Sequence, residues 1–204
     1  MTPPNKRTPA SGDKETSGRQ LMRRTERRRQ ILAAAKRAFL QSGFAATGLE
    51  DVAGHAGVTK VLIYRHFDSK ADLYRAALDD TRARVRSATG GADQLGEESF
   101  GALAAVAGED PDGFRLLYRH AAREPEFRAY AGEFRDRAAT VAEHYLRELV
   151  PDAGRRQWAA RLVPVLTLET IMAWLDAGRP APEEVVALAA NSAVDGLLGA
   201  LTVD

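Results

Sequence analysis

Apolar positions first become periodic at Thr25. Ile31, Leu32, Ala35, Ala38 and Phe39 recur at helical spacing and mark one buried face. Gly43 is placed to stop that helix in a left-handed conformation, and Phe44 supplies the hydrophobic contact that accompanies such a stop. Thr47 is expected to open a second helix, because Glu50 follows at the capping-box spacing. Leu49, Val52, Ala53 and Ala56 form its stripe, and Gly57 ends it. A third, short helix is expected from Val58 and Thr59 to about Phe67. A fourth begins near Ser69, with Asp72 three residues on, and buries Leu73, Ala76 and Ala77. Beyond it, Gly90–Gly91, Gly108–Pro111, Pro125, Pro151–Gly154 and Gly178–Pro182 punctuate the pattern. They predict helices at about 96–107, 111–123, 124–149, 155–177 and 182–201, so the whole chain reads as all-α.

Two short helices joined by a glycine-containing turn make a helix-turn-helix. Val58, Ile63 and Phe67 anchor its second helix, and Lys60, Val61, Leu62, Tyr64 and Arg65 lie on the free side. A short helix with a basic, partly apolar outer face fits the roughly 12 Å width of the DNA major groove.

Charge sharpens this picture. The formal net charge of +1 hides a split: residues 1–75 carry fifteen Lys/Arg against seven Asp/Glu, and residues 76–204 carry fourteen against twenty-one. The N-terminal third is therefore built to meet an anionic partner, either nucleic acid or an anionic membrane face. Residues 1–24, with Pro3, Pro4, Pro9, Gly12 and Gly18 and few apolar positions, read as a disordered arm that turns basic at Arg19, Arg23 and Arg24. The arm lacks the Trp and Phe anchors of a membrane-surface helix.

No apolar run is expected to approach the ~20 residues of a membrane span, and no apolar leader follows Met1. With no cysteine in the sequence there is no disulfide framework and no thiolate site, so a reducing, cytoplasmic setting is expected. His120 and His144 stand near Glu124 and Glu143, but no H-E-x-x-H, Gly-rich phosphate loop or nucleophile elbow appears. Neither an enzyme, a metal site nor a cofactor is expected.

The segment TGLEDVAGHAGVTKVLIYRHFDSKADL, residues 47–73, resembles the DNA-binding domain of the tetracycline-repressor (TetR) family. The likeness is carried by Thr47, Val52-Ala53, Ala56-Gly57-Val58-Thr59, Ile63-Tyr64-Arg65-His66-Phe67, Lys70 and Leu73. Val61 stands where that family often has Gly or Pro. The resemblance implies an N-terminal three-helix DNA-binding domain over 25–75 and a C-terminal helical ligand-binding and dimerisation domain over 76–204. It implies a sequence-specific transcriptional regulator, a repressor released from its operator by a small apolar ligand. The alternative is a DNA-binding regulator without such an effector, whose C-terminal domain binds a protein partner.

By the same resemblance, Tyr64 donates to a phosphate, and His66 does likewise or caps its helix. Lys70, the free N–H groups at the start of the fourth helix, and Thr47 meet other phosphates. Base reading falls to Lys60, Val61 and Leu62, with Arg65 beside them and Thr59 at the helix start. The last two helices are expected to form a homodimer through Leu166, Trp174, Ala189, Ala193, Gly196, Leu197 and Ala200, which pairs two half-sites of a pseudo-palindromic duplex. Phe114, Tyr118, His144, Trp158, Thr167 and Trp174 are expected to line a pocket with apolar walls and sparse polar groups.

Overall fold

Glycines and prolines divide the chain much as their chemistry requires. The structure, a computed structural model, describes residues 12–90 and 98–201, with side chains from Arg24 onward except that of Phe134. Helices α1 (Gly12–Ala46), α2 (Leu49–Ala56), α3 (Lys60–Tyr64) and α4 (Lys70–Ala88) come first. They are followed by α5 (Glu98–Glu109), α6 (Pro111–Arg115), α7 (Arg128–Tyr145), α8 (Ala153–Asp176) and α9 (Glu183–Leu201). Among the described residues there is no strand.

Helix α1 begins well before Thr25, so residues 12–24 are helical rather than irregular. The three prolines all precede Gly12. Gly18 inside the helix costs only about 1 kcal/mol, and it stands among good helix formers such as Lys14, Glu15, Arg19 and Leu21. Residues 1–11 of the expected arm lie outside the described residues.

Gly43 interrupts α1 at φ 76°, ψ 167°, a combination open essentially to glycine alone. The turn drives Phe44 into a ring cluster, 5.1 Å from both Tyr74 and Phe127, while Phe39 stands 4.9 Å from Tyr74. The Tyr74 hydroxyl is buried there without a hydrogen-bond partner, and burial pushes its pKa up, so it stays protonated. Gly57, at φ 61° and ψ 36°, closes α2 in the left-handed conformation and lets Val58 N–H donate to Ala53 O at 3.0 Å. Thr59 caps α3, its hydroxyl accepting from Leu62 N–H at 3.3 Å. Ser69 caps α4 by accepting from Asp72 N–H at 3.0 Å.

The cap of α2 differs from expectation. Gly48 occupies the N-cap, and its N–H donates to Asp51 at 2.8 Å, so the box is shifted one residue from Thr47 and Glu50. Further on, the expected helices 111–123 and 124–149 are broken. The chain makes a π turn over Leu116–His120 and then two 3-10 turns before α7. Pro125 holds Glu124 extended at φ −84°, ψ 119° and so separates the two segments.

The first core does not stop at residue 75. Ile31, Phe39, Val52, Ile63, Leu73 and Tyr74 pack with Leu116, Leu117 and Phe127 from the second region. A second core gathers Val85, Phe114, Ile171 and Trp174, and a third gathers Leu146, Val150 and Ala159. Between the first two lies a buried ionic node. Lys36 of α1 is 3% exposed, and its ammonium donates to Asp80 of α4 at 2.6 Å and to Asp110. Asp110 also caps α6 through Gly113 N–H at 3.1 Å and accepts from the Thr81 hydroxyl at 3.3 Å. One lysine thus ties α1, α4 and α6 together.

Helices α8 and α9 are long and apolar enough to cross a membrane by length and composition, contrary to the expectation that no such stretch exists. In the fold α8 packs against α5, α7 and α9, while most of the apolar surface of α9 is uncovered.

Lys36→Met removes the buried cation that bridges Asp80 and Asp110; Asp80 keeps Arg84, 3.4 Å away, while Asp110 loses its cation. Loss of one partner of a buried pair typically costs about 3–5 kcal/mol. Urea unfolding of the variant should show a loss of that size; a loss below ~1 kcal/mol would mean the node is a surface pair in solution.

Candidate functional site

Helix α3 stands out from the first core on one buried residue, Ile63, with Phe67 just beyond its end. Its outer side presents Val61 (64% exposed) and Tyr64 (50% exposed), with Arg65 and Thr59 also exposed. Leu62, Lys60 and His66 are half-buried around them. An exposed Val and Tyr beside two basic groups is costly against water and well matched to thymine methyls and phosphates. The scaffold beneath is held by side chains of α1: Gln30 donates to Ala56 O at 2.7 Å, which holds the end of α2.

Two expected phosphate ligands are turned inward. Thr47 is 1% exposed, and its hydroxyl donates to Gly43 O at 2.6 Å, so it locks the α1–α2 turn rather than facing a groove. The Lys70 ammonium donates to Phe44 O at 2.8 Å and Ala45 O at 3.2 Å and lies over the Phe44 ring. It satisfies carbonyls left open at the end of α1. At the start of α4, the Asp72 N–H is used by Ser69 and the Leu73 N–H by the Ser69 carbonyl, whereas among the described residues the N–H groups of Lys70 and Ala71 have no such partner. These are the N–H groups at the helix start that the sequence analysis expects to meet a phosphate.

Arginines of α1 also reach this surface; of these the sequence singled out Arg24, as part of the basic arm, and not Arg27 or Arg28. Arg28 stacks on Phe67 at 4.4 Å and donates to His66 O at 3.5 Å, and Arg24 and Arg27 are exposed nearby on α1. Arg24 takes its place on this helix because α1 continues upstream of Thr25. Burial, with the charges of Arg24, Arg28 and Arg27, holds His66 below its ordinary pKa, so it is neutral at pH 7. Glu50, expected as a cap, instead pairs with Lys60 ten residues on. The hydrogen bond lowers the Glu50 pKa and raises that of Lys60, so both stay charged at neutral pH.

Behind this surface, a cavity of about 430 Å³ opens between α4, α5, α7, α8 and α9. That is the size of a site for one small molecule. Leu103, Val141, Leu146, Val163, Leu168 and Leu198 give it apolar walls. Tyr118 and Thr167 line it, as expected. Phe114 and Trp174 do not: both are buried in the second core, and the Trp174 indole donates to Ala181 O at 2.7 Å. His144 and Trp158 are exposed on the surface, away from the lining. The lining also takes Tyr145, another aromatic of this region, and in place of the others it takes Asn191 and the arginines Arg82, Arg86 and Arg137, which the sequence did not single out.

On α9, Ala189, Ala193, Gly196 and Ala200 lie exposed in one stripe, and Leu197 is half-buried beside them. Leu166 of α8 is also half-buried. Trp174 is again the exception, because it faces the chain's own core. Val165 and Leu188, 52% and 64% exposed, extend the apolar surface of the same two helices.

Two measurements probe the α3 surface. A phosphate near His66 raises its pKa, so complex formation takes up a proton. Affinity for duplex DNA should then rise as the pH falls through the region around and below about 6.5, and His66→Gln should flatten that dependence. The fold responds with the opposite sign. The unfolded chain gains the proton at the higher pKa, so His66 lowers stability over the same fall in pH. Separately, Glu50→Gln should tighten DNA binding at constant salt by freeing Lys60; unchanged affinity would mean that Lys60 does not meet DNA.

Residues 31–77 match the family described as bacterial regulatory proteins, tetR family. The chain is 30% identical to the HTH-type transcriptional activator FasR of Mycolicibacterium smegmatis, over 92% of its own length and 85% of that protein. Its fold is similar to that of a TetR-like transcriptional regulator from Rhodococcus sp. RHA1, with a TM-score of 0.71 at 20% identity, covering 85% of this chain and 93% of that one. It is also similar to the regulator FadR from Bacillus subtilis in complex with stearoyl-CoA, with a TM-score of 0.64 at 16% identity, covering 83% and 96%. A helix-turn-helix matched to the family and a relative aligned along most of both chains lead to one identity: the protein belongs to the TetR family, a DNA-binding transcriptional regulator and not an enzyme.

Proposed function

We propose that the protein acts as a homodimeric repressor in the cytoplasm, binding a pseudo-palindromic operator through α3 and released by a small, mainly apolar molecule. The observation that carries this reading is the position of α4. Its first residues stand at the DNA-facing surface beside His66, and Arg82, Val85, Arg86 and Thr89 near its other end line the cavity. A molecule that fits the cavity best with α4 displaced tilts α3 and weakens DNA binding. Linkage then requires DNA to weaken that molecule's binding by the same factor, typically about 1–3 kcal/mol. That FadR, similar in fold, forms a complex with stearoyl-CoA supports a ligand-responsive reading of this chain. The cavity favours a small-molecule effector over a C-terminal domain given solely to a protein partner.

Dimerisation rests on the bare side of α9. A two-fold interface buries the same patch on both copies, and small residues in a stripe allow close helix approach. Val165, Leu188, Ala193 and Gly196 provide such a patch. Two copies also supply the two α3 helices that a palindromic site requires.

Two experiments test the reading. A Cβ at Gly196 meets nothing within 4 Å in the single chain, so Gly196→Glu leaves the protomer intact and places a charge in the two-fold contact. Sedimentation should show a helical monomer with lost operator affinity; an intact dimer would overturn the assignment. Duplexes selected from a random pool by the purified protein should share two-fold symmetric half-sites, and Lys60→Ala should relax preference at one position per half-site at a cost of roughly 1–3 kcal/mol. Selected sites without two-fold symmetry would contradict the proposed dimeric mode.

A further inference from the structure

The cavity is not electrically neutral, and its charges are sorted by wall. Arg82 and Arg86 of α4 and Arg137 of α7 border it on one side; Asp195 of α9 is the one carboxylate among its lining residues. Asp195 is engaged, since Asn191 donates to it at 3.0 Å. Arg82 is engaged as well, with its guanidinium 5.5 Å over the Tyr130 ring. Tyr130 in turn donates to Asp79 at 2.6 Å. Burial and that carboxylate push the Tyr130 pKa up to about 12, so it remains a donor. Arg86 and Arg137 differ: among the described residues neither has a carboxylate within ion-pair distance, and both are exposed at the cavity's edge. Two arginines from two helices thus border a chamber with mainly apolar walls.

An apolar chamber alone selects little beyond size, whereas a forked guanidinium selects acidic oxygens. We propose that the cavity takes an amphipathic anion, with an aliphatic chain among Leu103, Val141, Leu146, Val163 and Leu198 and its acidic head held at the mouth by Arg86 and Arg137. This rests on the reading of the cavity as the effector site and narrows it to one chemical class. The head group then bridges α4 and α7. Arg86 lies on the helix that begins at the DNA surface, so the charge of the ligand pulls on the element that carries α3. A neutral chain of equal length fills the chamber and lacks that pull.

The test compares three probes of one chain length, each below its micelle concentration: dodecanoate, dodecanol and dodecyltrimethylammonium. Each displaces the neutral fluorescent dye N-phenyl-1-naphthylamine from the full-length protein. Val163→Trp, which fills the chamber, establishes that the dye sits there by abolishing its signal. Dodecanoate should displace the dye about tenfold more tightly than either other probe, the effect of two partly exposed charge-assisted contacts. The double variant Arg86→Gln, Arg137→Gln should bring dodecanoate down to the level of dodecanol and leave dodecanol unchanged. Equal displacement by all three probes, or preference for the ammonium, overturns the anion assignment while the cavity reading stands. Dye binding insensitive to Val163→Trp overturns the cavity reading itself, and the anion assignment with it.

Discussion

One helix belongs to two cores, and the rest of the molecule is arranged around that constraint. Helix α4 spans 19 residues, about 28 Å at the α-helical rise. Leu73, Tyr74 and Leu78 complete the core beneath the helix-turn-helix, and Val85 belongs to the core of the second region. A helix packed along its length moves as a rod, so a displacement at Arg86 is felt at Ser69. Lys36 adds a second tie: it holds α4 to α1 through Asp80 and to α6 through Asp110. The DNA-binding unit therefore has no flexible linker behind it, and its orientation follows that of the wall of the cavity.

The surface that meets DNA is built economically from this frame. Five helical residues suffice for α3 because Thr59 and Arg65 close its ends and Ile63 and Phe67 anchor it. Charges on this surface are held by internal partners before DNA arrives: Lys60 by Glu50, and Lys70 by the carbonyls of Phe44 and Ala45. In the proposed mode of binding, the first of these pairs is exchanged for phosphate or base contacts. That exchange moderates nonspecific affinity, because a cation already paired releases less counterion on meeting DNA.

The local parts of this design were legible in the sequence and the relational parts were not. Gly57 and Ser69 perform the turn and the cap expected of them, Thr59 starts its helix, and Gly43 breaks its own at positive φ but with ψ 167° rather than in the left-handed helical region; such roles depend on a few neighbouring residues. Thr47 and Lys70 match a familiar pattern, but the pattern does not say that Gly43 leaves carbonyls open for both to satisfy. The cavity was least legible. It is the space left where five helices fail to close; Phe114 and Trp174 close the neighbouring core, and the aromatics that line the cavity are Phe100, Tyr118 and Tyr145. Small and medium residues, Ala138, Val141 and Val163, line it beside them. The exposed stripe on α9 was legible because small residues at helical spacing leave little else to bury them.

Coupling between cavity and α3 can be read directly as a distance. The sequence has no cysteine, so His55→Cys, exposed on α2, gives one labelling site per copy. Double electron–electron resonance between the two labels of the homodimer reports the separation of the DNA-binding units. Saturating dodecanoate should shift the distance distribution, and Val163→Trp should abolish the shift. Superimposable distributions with and without dodecanoate, under conditions where dye displacement shows the cavity filled, would contradict the coupling through α4.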